Sequence, residues 1–151
     1  MNIPDFLKIS IWGRSLPLPI SNFLEWAKWG GILSRESASL SVAYFHASPE
    51  ALINLLPQQI GDWAESGKSL YNGTWKSGTL SSHYFEVSPA LLRYMTLGEL
   101  RNLVSFLDIL ATRSYDLAND CLTSAEEVFS HIEKQDRRRF LSLMSSLVEV
   151  N

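Results

Sequence analysis

Chemistry in this 151-residue chain would have to come from three histidines, one cysteine and a few close charge pairs. Glu127 and His131 are four apart, a spacing that puts two metal ligands on one helix face. A catalytic zinc site usually takes three protein ligands, and the sequence nominates no third. Asp116 and Asp120 have the same spacing, but paired carboxylates do acid–base work only where a pocket tunes them apart. A solvated helix face is the simpler expectation for both pairs. His46 and His83 flank a recurring Tyr-Phe pair on opposite sides and are not equivalent positions. Gly67-Lys68-Ser69 ends like a phosphate loop, yet Asp62 stands where the earlier glycine belongs. The stretch also closes a helical pattern, whereas such a loop follows a strand and opens a helix. No G-x-S-x-G, H-E-x-x-H or G-x-G-x-x-G is found. Cys121 stands alone, which excludes an internal disulfide and a multi-cysteine metal site. No cofactor, metal or catalytic residue is expected.

Binding is better represented than catalysis. Arg137, Arg138 and Arg139 form the one dense basic run. Their guanidinium forks suit a phosphate or an acidic partner, although a solvated helix turn explains them too. Trp29, Tyr71 and Trp75 lie outside the internal repeat described below. Aromatics of that kind are either additional core or the anchors of a protein interface, where Trp and Tyr are enriched.

The elements that position these residues are legible as a repeat, which is the first feature to look for in such a chain. Residues 44–52 read YFHASPEAL and residues 84–92 read YFEVSPALL, an offset of 40. Upstream, Trp26-Ala27 and Gly30 recur as Trp63-Ala64 and Gly67, an offset of 37. The difference falls before Tyr84, where the turn-like Asn72-Gly73 has room for an insertion. A more divergent third copy sets Leu103-Val104 where Trp63-Ala64 stood and Ser124-Ala125 where Ser88-Pro89 stood. A fourth begins near Gln135 and stops after one segment.

Each copy opens with a long segment whose apolar residues fall at i, i+3, i+4 and i+7, one face of a helix. Phe23, Trp26, Ala27, Gly30 and Leu33 show this in the first copy, and Leu100, Leu103, Val104, Leu107 and Leu110 in the third. A shorter segment follows, over 38–45, 75–85 and 115–122. A short third helix is then expected, opened by Ser48-Pro49 or Ser88-Pro89, because serine caps and proline tolerates the first helical position. Ser124 to Glu127 and Thr96 to Glu99 both fit a capping box. The expected fold is therefore all-α: about ten helices in an α-solenoid of about three and a half repeats of roughly 37–40 residues. The repeats fall at about 21–56, 57–95, 96–134 and a partial 135–151. Residues 1–20, with Pro4, Pro17 and Pro19, suggest an extended N-terminal arm or cap, possible extended structure lying at 8–12. The last helix presents Phe140, Leu141, Met144, Leu147 and Val148 with nothing after them. It closes the array, forms a homo-oligomer contact, or marks the chain as a piece of a longer one.

Composition narrows the function classes. Hydrophobic residues make up 46% of the chain, ample for a core and against disorder. The net charge of −3 gives no pull toward nucleic acid or anionic membrane. No apolar run approaches the ~20 residues that span a bilayer. The first residues lack the basic and apolar regions of a signal peptide. A cytoplasmic location is the expectation, with the Asn72-Gly73-Thr74 sequon read as a turn.

The repeated phrase, Trp-Ala-x-x-Gly followed by Tyr-Phe-x-x-Ser-Pro-x-x-Leu, resembles helical repeats of large bacterial proteins that carry a von Willebrand A domain. Those proteins are the NorD-type and CbbO-type partners of AAA+ ATPases. The likeness runs through residues 21–95 and continues over 96–149 by register alone. Their metal-dependent adhesion site belongs to the von Willebrand A domain, whose Asp-x-Ser-x-Ser signature is not found here. The resemblance thus implies a helical recognition part, carries over no functional residue, and points to a scaffold or adaptor for an AAA+ ATPase-type assembly. The expected function is a non-catalytic protein-interaction module with another protein as partner. The alternative is a helical enzyme or small-ligand domain whose site draws on His83, His131, Glu127 and Asp120.

Overall fold

The computed structural model describes residues 20–150. The expected arm and the stretch at 8–12 lie outside the described residues, save Ile20, which already belongs to the first helix. The described chain is all-α: α1 (Ile20–Glu36), α2 (Ala38–Ala51), α3 (Ile60–Ser69), α4 (Trp75–Leu91), α5 (Leu97–Arg113), α6 (Tyr115–His131) and α7 (Lys134–Val150). A 3-10 turn, Pro57–Gln59, leads into α3, and there is no strand among the described residues. No helix among them is long and apolar enough to cross a membrane.

The helices contact one another in two rows. α1 packs on α2, α3 on α4 and α5 on α6, forming pairs. Successive pairs then stack, α1, α3, α5 and α7 in one row and α2, α4 and α6 in the other. The core runs unbroken between the rows, with Leu33, Tyr44, Trp63, Tyr84, Phe85, Leu100, Leu107, Leu122 and Phe129 all buried. Each such side chain contributes roughly 1.5–3 kcal/mol of hydrophobic burial.

The first two pairs are fastened alike. The Trp26 indole N–H donates to Ser48 Oγ at 2.9 Å, and that of Trp63 donates to Ser88 Oγ at 2.9 Å. Tyr44 donates to the Trp26 carbonyl at 2.8 Å, and Tyr84 to the Trp63 carbonyl at 2.8 Å. The Ser41 hydroxyl donates to the Gly30 carbonyl, and the Ser81 hydroxyl to that of Gly67. Phe45 lies edge-on to Trp26 and Phe85 edge-on to Trp63, with ring centroids 5.2 Å apart in both. A Cβ at Gly30 or Gly67 would overlap the Phe45 or Phe85 ring, so glycine is what lets those rings in. The layers meet through Tyr44, which touches both Trp63 and Phe85. Phe85 is accordingly buried. Phe45, with no earlier described layer on it, is 38% exposed.

The expected short third helices do not form. Ser48-Pro49 and Ser88-Pro89 lie inside the last turns of α2 and α4. So close to a helix end the proline forfeits only one hydrogen bond, and no further helix is needed to accommodate it. The serines face the core and serve as indole acceptors. The Ser124 box is likewise absent: Ser124 sits within α6, exposed, its hydroxyl donating to the Asp120 carbonyl. The cap of α6 is Ser114, whose Oγ accepts from the Leu117 N–H. The Thr96–Glu99 box forms as expected at the start of α5. Seven helices therefore stand among the described residues where the sequence predicts about ten, since each short segment runs on into the expected third helix.

Candidate functional site

The row α2–α4–α6 presents a grooved outer surface. Between α2 and α4 lie two adjoining grooves of about 530 and 450 Å³ that share Ser39, Ser82 and Glu86. One continues past His83 and Thr79 to Tyr71 and Trp75, the other past Val42 and His46 to Glu50. The positions follow from helix periodicity. In α4 the buried face is held by Leu80, Tyr84, Ser88 and Leu91, which turns Trp75, Thr79 and Glu86 outward.

Trp75 stands at the rim. It opens α4 behind Thr74, whose Oγ1 caps the helix by accepting from the Ser77 N–H at 3.1 Å. The indole is 78% exposed, with the Lys76 ammonium 5.7 Å from its ring. The preceding turn needs Gly73, whose φ of +93° lies in the region that disfavours side chains.

Of the aromatics outside the repeat, Trp75 is the one left free of the core. Tyr71 is half-buried against the core and donates to the Glu36 carbonyl at 3.1 Å, tying the α3–α4 turn to the end of α1. Trp29 lies across Gly61 in the α1–α3 contact, its N–H donating to Glu25 at 3.0 Å. Arg137 is engaged too. It donates to the Ile132 and Tyr94 carbonyls and lies over the Tyr94 ring, clamping α7 to the end of the second pair. Arg138 and Arg139 are exposed in the first part of α7. They belong to the row opposite the grooves.

No three His, Cys, Asp or Glu side chains come together as a metal site among the described residues. Glu127, His131, Asp116 and Asp120 are all exposed on α6. His83 is held by a neighbour that the sequence did not nominate. Asn119 donates its amide to the Tyr115 carbonyl at 3.1 Å, which turns Asn119 Oδ1 toward His83 Nδ1 at 3.0 Å. Nδ1 therefore donates to Asn119 Oδ1, while Nε2 lies 3.5 Å from Thr123 Oγ1, whose hydroxyl donates to the Asn119 carbonyl. Burial pushes the Cys121 thiol above its ordinary range, which leaves little nucleophilic thiolate. Gly67-Lys68-Ser69 forms the last turn of α3, with Lys68 3.7 Å from Glu36.

No family model, curated protein or solved structure matches the chain.

Proposed function

We propose that the chain is a non-catalytic helical-repeat interaction module, an α-solenoid that takes another protein along its α2–α4 surface. The observation that carries this reading is Trp75, a tryptophan 78% exposed at the rim of a groove. Leaving so large an apolar side chain in water forgoes a gain that a partner would restore, and interface hot spots are rich in this residue. Val42, also exposed, lies along the adjoining groove and extends the apolar contact. The resemblance of the repeated phrase to the NorD-type and CbbO-type helical regions makes an AAA+ ATPase subunit the first partner to try, with a scaffold or adaptor role. A cytoplasmic location belongs to the same proposal.

A photocrosslinking residue introduced at position 75 of the full chain, in its native host, tests this reading. One protein should be captured at position 75 and not from the same residue at Leu24, which is exposed on the opposite row. If position 75 yields no protein adduct, or the adducts match those from Leu24, the module reading fails.

A further inference from the structure

The charge of the molecule is divided between its two rows. On the helices of the grooved row, Glu50, Glu86, Asp116, Asp120, Glu126 and Glu127 are opposed by Lys76 within those helices and by Arg93 just past the end of α4. In the other row, Lys and Arg match Asp and Glu almost one for one. All six carboxylates are exposed. Glu50 pairs with Arg93, and the other five make no ion pair among the described residues. Glu50 and Glu86 line the grooves themselves. The α6 acids lie beside them, because Asn119 and Thr123, which meet His83 of α4, are one turn from Asp116, Glu126 and Glu127. Carboxylates therefore border a groove that has an exposed indole at its rim.

Resting on the module reading, we infer that the partner presents a basic linear segment, Lys or Arg alternating with apolar residues, to this surface. Complementary charge steers and orders such an encounter, and wrong-sign partners are repelled. A nucleic-acid strand has the wrong sign for this face.

The probe is a fluorescein-labelled dodecapeptide of repeating Lys-Leu-Ser, beside its Glu-Leu-Ser counterpart, titrated into the full chain by fluorescence polarisation. The lysine peptide should bind at least about tenfold more tightly than the glutamate one, and should weaken about tenfold between roughly 50 and 300 mM salt as screening shortens. Combined Glu50→Gln, Glu86→Gln, Asp120→Asn and Glu127→Gln should lower its affinity about tenfold with helicity unchanged. Combined Asp62→Asn, Glu65→Gln, Asp108→Asn and Asp136→Asn, on the opposite row, should leave it within about twofold. Equal losses in the two variants would show that only net charge matters and would overturn the inference. So would comparable binding of the glutamate peptide. The position-75 crosslink separates the two ideas. An adduct mapped to a neutral or acidic segment sinks the basic segment and leaves an interaction surface. No adduct at all removes both.

Discussion

At the scale of single residues, the indole–serine bond is the most exposed to test. Trp63 is buried, edge-on to Phe85 and bonded to Ser88. Trp63→Ala should cost about 3–5 kcal/mol in chemical denaturation, the range of large aromatic truncations. Ser88→Ala keeps the volume nearly intact and strands a buried N–H, so about 1–3 kcal/mol is expected. A loss below about 1 kcal/mol for Trp63→Ala would mean the residue is not core. Two glycines make a paired comparison. Gly67→Ala drives a methyl into the Phe85 ring and should destabilise by about 1–3 kcal/mol. Gly31→Ala meets nothing within 4 Å in a helix interior, and should stabilise by about 0.5–1 kcal/mol. Thermal melts of the two variants moving in opposite directions would bear this out. The aromatics and glycines of the repeat were readable beforehand because their spacing recurs. The burial of Trp29 and Tyr71 was not, since each is held by an unrepeated neighbour, Gly61 for one and the Glu36 carbonyl for the other.

Helix starts proved more legible than helix ends. Ala38, Trp75 and Tyr115 begin α2, α4 and α6 where the periodicity placed them. The ends lie further along the chain than the spacing predicts, because Ser-Pro signals a helix start only when serine is free to cap. Here Ser48 and Ser88 are occupied by indole N–H groups that come from 22 and 25 residues upstream. A partner so distant leaves no trace in a local window. The capping boxes make the same point by contrast. Thr96→Ala removes the acceptor of the Glu99 N–H and should cost about 1 kcal/mol, whereas Ser124→Ala should change stability by less than about 0.5 kcal/mol. Urea midpoints would distinguish them, and a comparable loss at Ser124 would restore it as a cap. The grooves were not legible at all, since they arise from how α2 and α4 lie beside each other. Only their anchor, Trp75, could be named in advance, as an aromatic that no other copy repeats.

For the whole molecule, the two helices of the first pair and of the second are joined through phenols that are kept from water. Burial raises the Tyr44 phenol above its ordinary range, and the Glu25 carboxylate adds to this. Burial does the same for Tyr84, opposed by hydrogen bonding to Ser66 and Ser88 and by the Arg101 charge. Once unfolded, both phenols ionise near their ordinary pKa of about 10, while the native state still holds its protons. Stability is thus untouched below that value and falls above it, by about 1.4 kcal/mol per pH unit for each tyrosine. Denaturation midpoints that fall between about pH 10 and 11 in the parent, and less steeply in Tyr84→Phe, would show the linkage. The duplicated fastening has an outcome of another kind. Its bonds join the two helices of one pair, and Tyr44 packs against Trp63 and Phe85 of the next. Such a unit carries its own couplings at both ends, like a carriage in a train. A gene that encodes the segment 57–95 twice in tandem should yield a protein lengthened by one storey, which small-angle scattering would register as a longer particle of unchanged cross-section.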